Sequence, residues 1–246
     1  MNYQWNWGVF LQEAPEGGVR YWELLAEGLG WTLAVSAFAW AIALAAGLVV
    51  GTLRTAPGRT LPVLAAAWVE LFRNIPLLVQ MFLWYFVLPE LLPPLKRLLA
   101  DADPTHGQFA AAVICLGLFT SARIAEQVRA GILSLPRGQR EAASALGMST
   151  VQAYRHVLLP MALRIIVPPL TSEAMNLIKN SSVALTIGLA ELTFRARELG
   201  EYTFNFFEAF TAATLIYVVI AMSANRAMAW IERHVAVPGY IAGGRQ

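Results

Sequence analysis

The segment from Ser172 to Asn180 carries polar chemistry inside an otherwise apolar stretch. At about 100° per residue, Ser172, Glu173, Asn176, Lys179 and Asn180 fall in one helical stripe roughly 120° wide. Leu170, Ala174, Leu177 and Ile178 face elsewhere. A carboxylate, an ammonium and two amides on one face can handle a small zwitterion. Lys179 would attract a carboxylate, and Asn176 and Asn180 would hydrogen-bond the polar ends. The same groups can instead satisfy one another in a seam between helices, which is common in membrane bundles. Ionisable groups inside an apolar span are costly, so the path-lining reading is favoured over the seam.

Arg123, Glu126 and Arg129 form a second set, spaced three apart as an i, i+3 ladder of alternating charge. An ion-pair network near a membrane interface is the simpler reading. Arg164 lies where its long side chain can snorkel to such an interface. Enzymatic chemistry is not indicated. A phosphate-binding loop ends in Gly-Lys-Ser/Thr, yet the two lysines, Lys96 and Lys179, follow Leu95 and Ile178. His106, His156 and His234 lie on different segments, and with the single Cys115 they make no recognisable zinc site. Ser181 and Ser182 have no nearby histidine. No catalytic residue, metal or cofactor is expected in this chain.

The elements that must position these groups follow from composition. Of 246 residues, 57% are hydrophobic and only 14% charged, against about 25% charged in a typical globular domain. Mean hydropathy is +0.54 and net charge +2. Such a chain cannot coat a soluble surface, which excludes a disordered tail, a basic nucleic-acid binder and a disulfide-stapled domain. It reads as an all-α integral membrane protein of five transmembrane helices, a single domain over 1–246, with spans near 28–53, 74–95, 107–130, 161–189 and 207–231. Leu61 to Arg73 is amphipathic and leads into the second span, where Pro76 would kink the helix. A cleaved signal peptide fits poorly, because Glu13, Glu16, Glu23 and Glu27 crowd the start.

With the N-terminus outside, the inner segments hold Arg54, Arg59, Arg73, Arg137, Arg140, Arg155, Arg226, Arg233 and Arg245. The outer ones hold Arg20, Lys96, Arg97, Arg195 and Arg197. The excess of basic residues favours N-out, C-in. Residues 136–160 then form a cytoplasmic loop with structure of its own. Gln139 to Leu146 is Ala-rich, and Gly147 suits the left-handed residue that ends a helix. Ser149 precedes Gln152 by three, the spacing of a capping box. A second helix from Thr150 to Leu159 would stop before Pro160. A DNA-reading helix is disfavoured, since Arg155 and His156 offer little for phosphate contacts. A docking knob and an ordinary capped hairpin fit the residue chemistry equally well.

Residues 141–160, EAASALGMSTVQAYRHVLLP, resemble the EAA loop of ABC importer permeases. That pattern is Glu-Ala-Ala, three residues, Gly, nine residues, Ile, one residue, Leu-Pro. Glu141, Ala142, Ala143, Gly147, Leu159 and Pro160 match it, and Val157 stands where the family has Ile. Residues 122–143 (ARIAEQVRAGILSLPRGQREAA), 69–86 (VELFRNIPLLVQMFLWYF) and 175–193 (MNLIKNSSVALTIGLAELT) are similar to the polar amino-acid subfamily. WNWGVFLQEAP at 5–15 and LFTSARIAEQVRAGILSLPRGQ resemble the permeases of glutamate/aspartate importers in particular.

The resemblance implies a type I ABC importer permease fold, with the EAA loop seated in a cleft of a separate ATPase subunit. It also implies a cytoplasmic ABC ATPase dimer, a second homologous permease subunit and a periplasmic amino-acid-binding protein as partners, all at the bacterial inner membrane. Glutamate or aspartate is the expected substrate; glutamine, arginine or histidine are the alternatives. An ion-coupled secondary transporter acting alone is the competing class. Inverted repeats would support it, and none is evident.

Overall fold

The computed structural model describes residues 3–15, 17–100 and 103–235. Arg245, one of the basic residues counted above, lies outside them. After a short 3-10 turn at Trp7–Leu11, the described residues form nine longer helices: α1 (Tyr21–Leu53), α2 (Thr60–Asn74), α3 (Leu77–Leu91), α4 (Pro93–Ala100), α5 (Pro104–Leu133), α6 (Arg137–Ala145), α7 (Thr150–Ile187), α8 (Leu192–Thr203) and α9 (Phe206–Val235). Among the described residues the only strand-like pairing is an isolated bridge between Glu13 and Arg20. By length and composition α1, α5, α7 and α9 can cross a membrane, and α2 with α3 make a fifth candidate if that broken pair counts as one span. The chain is thus an all-α membrane protein.

Two compact units divide the chain. One holds the chain up to Trp40, Pro76–Gly117 and Asn176–Met222; the other holds Ala41–Ile75, Leu118–Met175 and the chain from Ser223 on.

In the first unit, a core of Val9, Ala14, Tyr21, Leu24, Leu25, Leu192, Ala196, Leu199, Ala209 and Ala213 gathers the N-terminal segment, the start of α1, α8 and the start of α9. Two buried carboxylates organise the polar groups around it. Glu208 accepts from the Tyr3 hydroxyl and the Asn6 N–H, each at 2.5 Å, and so fastens the N-terminal segment to α9. Glu191 caps α8, accepting from the Phe194 N–H at 2.8 Å and the Thr193 N–H at 3.0 Å. Its second oxygen also receives the Tyr217 hydroxyl at 2.9 Å. Burial pushes the Glu191 carboxyl above its ordinary range, against the pull of these donors.

In the second unit, α1 packs on α5 through glycines one turn apart. A Cβ on Gly47 would lie 2.6 Å from Ile124 Cγ2, and one on Gly51 would lie 2.6 Å from the Ala125 carbonyl oxygen. Lipid offers no hydrophobic drive for helix association, so close backbone approach and dispersion must supply it. Helix α2 buries Ala65, Val69 and Phe72 at helical spacing and leaves Leu61, Leu64 and Leu71 exposed.

The second and fourth expected spans differ from the helices found. The second is interrupted at Ile75–Pro76, where both residues are extended (ψ 128° and 138°). Proline disfavours the helical conformation in the residue before it, so α2 ends there instead of bending through. The fourth begins at Thr150: Pro160 does not stop it. A π turn over Tyr154–Leu158, closed by the Leu159 N–H to the Tyr154 carbonyl, absorbs the irregularity that a donor-less proline imposes.

Candidate functional site

The loop over 136–160 is a helical hairpin in the second unit. Helix α6 ends in a Schellman motif: Gly147 N–H donates to Ser144 O at 2.9 Å and Met148 N–H to Ala143 O at 3.1 Å. Gly147 supplies the required left-handed residue, φ +72°. Two residues later Ser149 closes the capping box with Gln152. The Ser149 N–H donates to Gln152 Oε1 at 2.8 Å, and the Gln152 N–H to Ser149 Oγ at 3.4 Å. Ala143 is buried within the hairpin, while Glu141, Ala142, Ala145 and Gly147 are exposed. Leu146 and Val151 stand 76% and 74% exposed at the tip. Small and apolar groups are thus held outward on a capped frame. Leu159 and Pro160 sit half-buried in α7, directly after its π turn.

The polar stripe on α7 is graded. Ser172 and Lys179 are exposed, Asn176 and Asn180 are half-buried, and Glu173 is buried. This follows from angle: Glu173 lies at the edge nearest Ile166, Leu170 and Leu177, which form the buried face. In the second unit Glu173 meets α5, receiving Gln127 Nε2 at 3.3 Å and lying 3.8 Å from Arg123 Nη1. Asn176, Lys179 and Asn180 belong to the first unit.

The ladder of Arg123, Glu126 and Arg129 is only half realised. Glu126 pairs with Arg129 at 3.0 Å and with Arg54 from the segment after α1, while Arg123 turns to Glu173. Glu126 is already shared by two guanidinium groups, and Arg123 lies instead beside the buried Glu173 on the neighbouring helix.

These residues surround a pocket of about 400 Å³ lined by Arg73, Phe119, Arg123, Glu126, Gln127 and Glu173. Arg123 also stacks over the Phe119 ring, 5.4 Å from its centroid. Two guanidinium groups and two carboxylates round one cavity offer binding to both ends of an amino acid. Sequence spacing alone did not single out Arg73, which reaches this cavity from α2, or Gln127, which lies beside Glu126 on α5. No group of histidine, cysteine and carboxylate side chains that could hold a metal occurs among the described residues.

The family described as binding-protein-dependent transport system inner membrane component matches residues 30–237. The chain is 50% identical over 245 residues to the glutamate/aspartate import permease protein GltJ of Escherichia coli (strain K12), covering 99% of this chain and all of that one. It is 33% identical over 234 residues to the glutamine transport system permease protein GlnP of the same organism, covering 95% and 99%. Among solved structures, an amino acid ABC transporter with histidines is similar at TM-score 0.72 and 31% identity, covering 87% of this chain and 95% of that one. An inward-facing MetNI methionine ABC transporter shares the fold at TM-score 0.73 and 24% identity, covering 92% and 100%. With its long apolar helices and a helical hairpin built on Glu141, Ala142, Ala143 and Gly147, the chain belongs to the binding-protein-dependent transport system inner membrane components, the permease subunits of ABC importers.

Proposed function

We propose that this chain forms half of the translocation pathway of an ATP-driven importer for glutamate and aspartate. The full-length 50% identity to a glutamate/aspartate import permease carries this reading. The cationic groups support it: Arg73 and Arg123 at the pocket, and the exposed Lys179 on α7, offer positive charge to an acidic substrate. ATP hydrolysis belongs to a separate subunit. A second, homologous permease completes the pathway, and a periplasmic binding protein delivers the amino acid. The chain lies N-out, C-in across the inner membrane, in keeping with the excess of basic residues on the segments this places inside.

Glu141, Ala142, Ala143 and Gly147 form the coupling surface that enters the cleft of the ATPase, and Leu159 and Pro160 root it in α7. Ser172, Glu173, Asn176, Lys179 and Asn180 lie along the substrate path, with Glu173 held by α5 as it does so.

Reconstitution tests the proposal. The chain, co-expressed with the products of its neighbouring genes, is placed in liposomes with ATP inside and binding protein outside. ATP-dependent uptake of radiolabelled glutamate and aspartate, well above that of glutamine, arginine and histidine, is the expected result. Uptake by this chain alone without ATP, or preference for a neutral or cationic amino acid, overturns it.

A further inference from the structure

We propose that Tyr154 is a positioning residue for energy coupling, tying the hairpin to the elbow after α1 and, through Arg54 and Glu126, to the α5 face that lines the polar pocket. The inference rests on the docking role assigned above to the hairpin.

Tyr154 is 9% exposed and opens the π turn of α7. One extra residue in a turn rotates everything before it by about 100° relative to the rest of the helix. The turn therefore sets where this ring points. Its hydroxyl is used in both directions. It donates to the Thr55 carbonyl, with Thr55 Oγ1 at 3.1 Å, and accepts from Arg140 Nη2 at 3.5 Å. Arg140 also lies 5.8 Å over the ring. Arg140 is on α6, directly before Glu141, so one phenol joins both arms of the hairpin to Thr55.

Thr55 is not a loose anchor. Its N–H and its Oγ1 both donate to Thr52 O, at 3.0 and 2.9 Å, continuing the end of α1. Its neighbour Arg54 is ion-paired with Glu126, which is also held by Arg129 at 3.0 Å. Glu126 lines the pocket. A pull on the hairpin thus reaches α5 through a hydrogen bond, one peptide unit and an ion pair, all within a single compact unit. Such contiguity makes a physical linkage; energetic coupling along it is what the experiment measures.

The test uses the complete transporter in liposomes. Tyr154→Phe keeps the ring over Arg140 and removes only the hydroxyl. The expected result is unchanged ATPase retention and basal hydrolysis, with amino acid moved per ATP falling about fivefold, the scale of one hydrogen bond. Arg54→Gln, which breaks the ion pair to Glu126 from outside the pocket lining, should give the same loss, and the double variant should be no worse than either. Wild-type transport per ATP in Tyr154→Phe overturns the proposal, as do losses that multiply in the double variant. So does loss of the ATPase with normal stoichiometry in what remains, the signature of a merely structural tyrosine. Ala142→Cys in the otherwise unaltered chain should form a disulfide cross-link to a cysteine in the ATPase cleft. Absence of that cross-link overturns the docking reading itself, whatever Tyr154 does.

Discussion

Gly147 turns the chain from one arm of the hairpin to the other at φ +72°, and a Cβ built on it meets no heavy atom within 4 Å. Any substitution there acts through backbone strain, with no steric collision to add to it. An L-residue in the left-handed region costs roughly 1–2 kcal/mol, asparagine less than others, and β-branched residues most. If the docked hairpin needs this turn, that strain lowers its population about 5- to 30-fold, and apparent ATPase affinity falls by the same factor. The assay is titration of the purified ATPase onto the permease in nanodiscs, comparing Gly147→Asn, Gly147→Ala and Gly147→Val. The expected order of weakening is Asn, then Ala, then Val. Gly147→Asn as damaging as Gly147→Val would show that volume at the interface, not φ, governs docking. A Gly147→Val chain that binds the ATPase and transports normally would remove the hairpin from the coupling mechanism.

Three further outcomes are expected. Gly51→Ala should destabilise the detergent-solubilised protein by about 1–3 kcal/mol through overpacking against α5; Gly30→Ala on the same helix, with open space around it, should be near neutral in the same thermal melt. Lys179→Gln should slow uptake of glutamate about two- to fivefold, the scale of an exposed charge pair; unchanged rate and apparent affinity would place Lys179 off the path. The Glu191 carboxyl is pushed up from its ordinary 4.5 by burial, so the unfolded chain releases its proton first as pH rises. Its contribution to stability therefore diminishes from just above that value upward through the folded one. Unfolding midpoints compared between about pH 5 and about pH 8 should show this component in the native chain and lose it in Glu191→Gln.

The hairpin was legible in the sequence because its signals are local. Gly147, Ser149 and Gln152 act within a few residues of one another, so spacing alone specifies the Schellman end and the capping box. The long apolar helices were legible for the same reason. What spacing could not supply was partner choice. Arg123 sits one turn before Glu126 yet turns to Glu173 on α7, and Glu126 takes Arg54 instead. Such choices depend on which helices pack together. Pro160 misled in a different way: a proline reads as a stop, but one extra residue per turn lets the helix continue past it. Glu191 and Glu208 carried no motif. A carboxylate just before a short, charge-bearing helix is a weak cap signal, and a glutamate in the first turn of α9 is ordinary until an N-terminal tyrosine is brought to it.

The glycine seam and the Glu173 contacts also bear on how the protein is made. Chains are synthesised from the N-terminus, so α1 enters the bilayer long before residues 121–128 of α5 exist to fill its Gly47–Gly51 face. It is the most apolar of the four long helices, and α7 the least. A helix that must wait alone in lipid is the one best suited to do so. By the time Glu173 emerges from the ribosome, Arg123 and Gln127 have already been made. The poorest membrane segment thus arrives after its polar partners, and an α5 lacking Arg123 and Gln127 should leave α7 stranded during biogenesis, before any transport cycle begins.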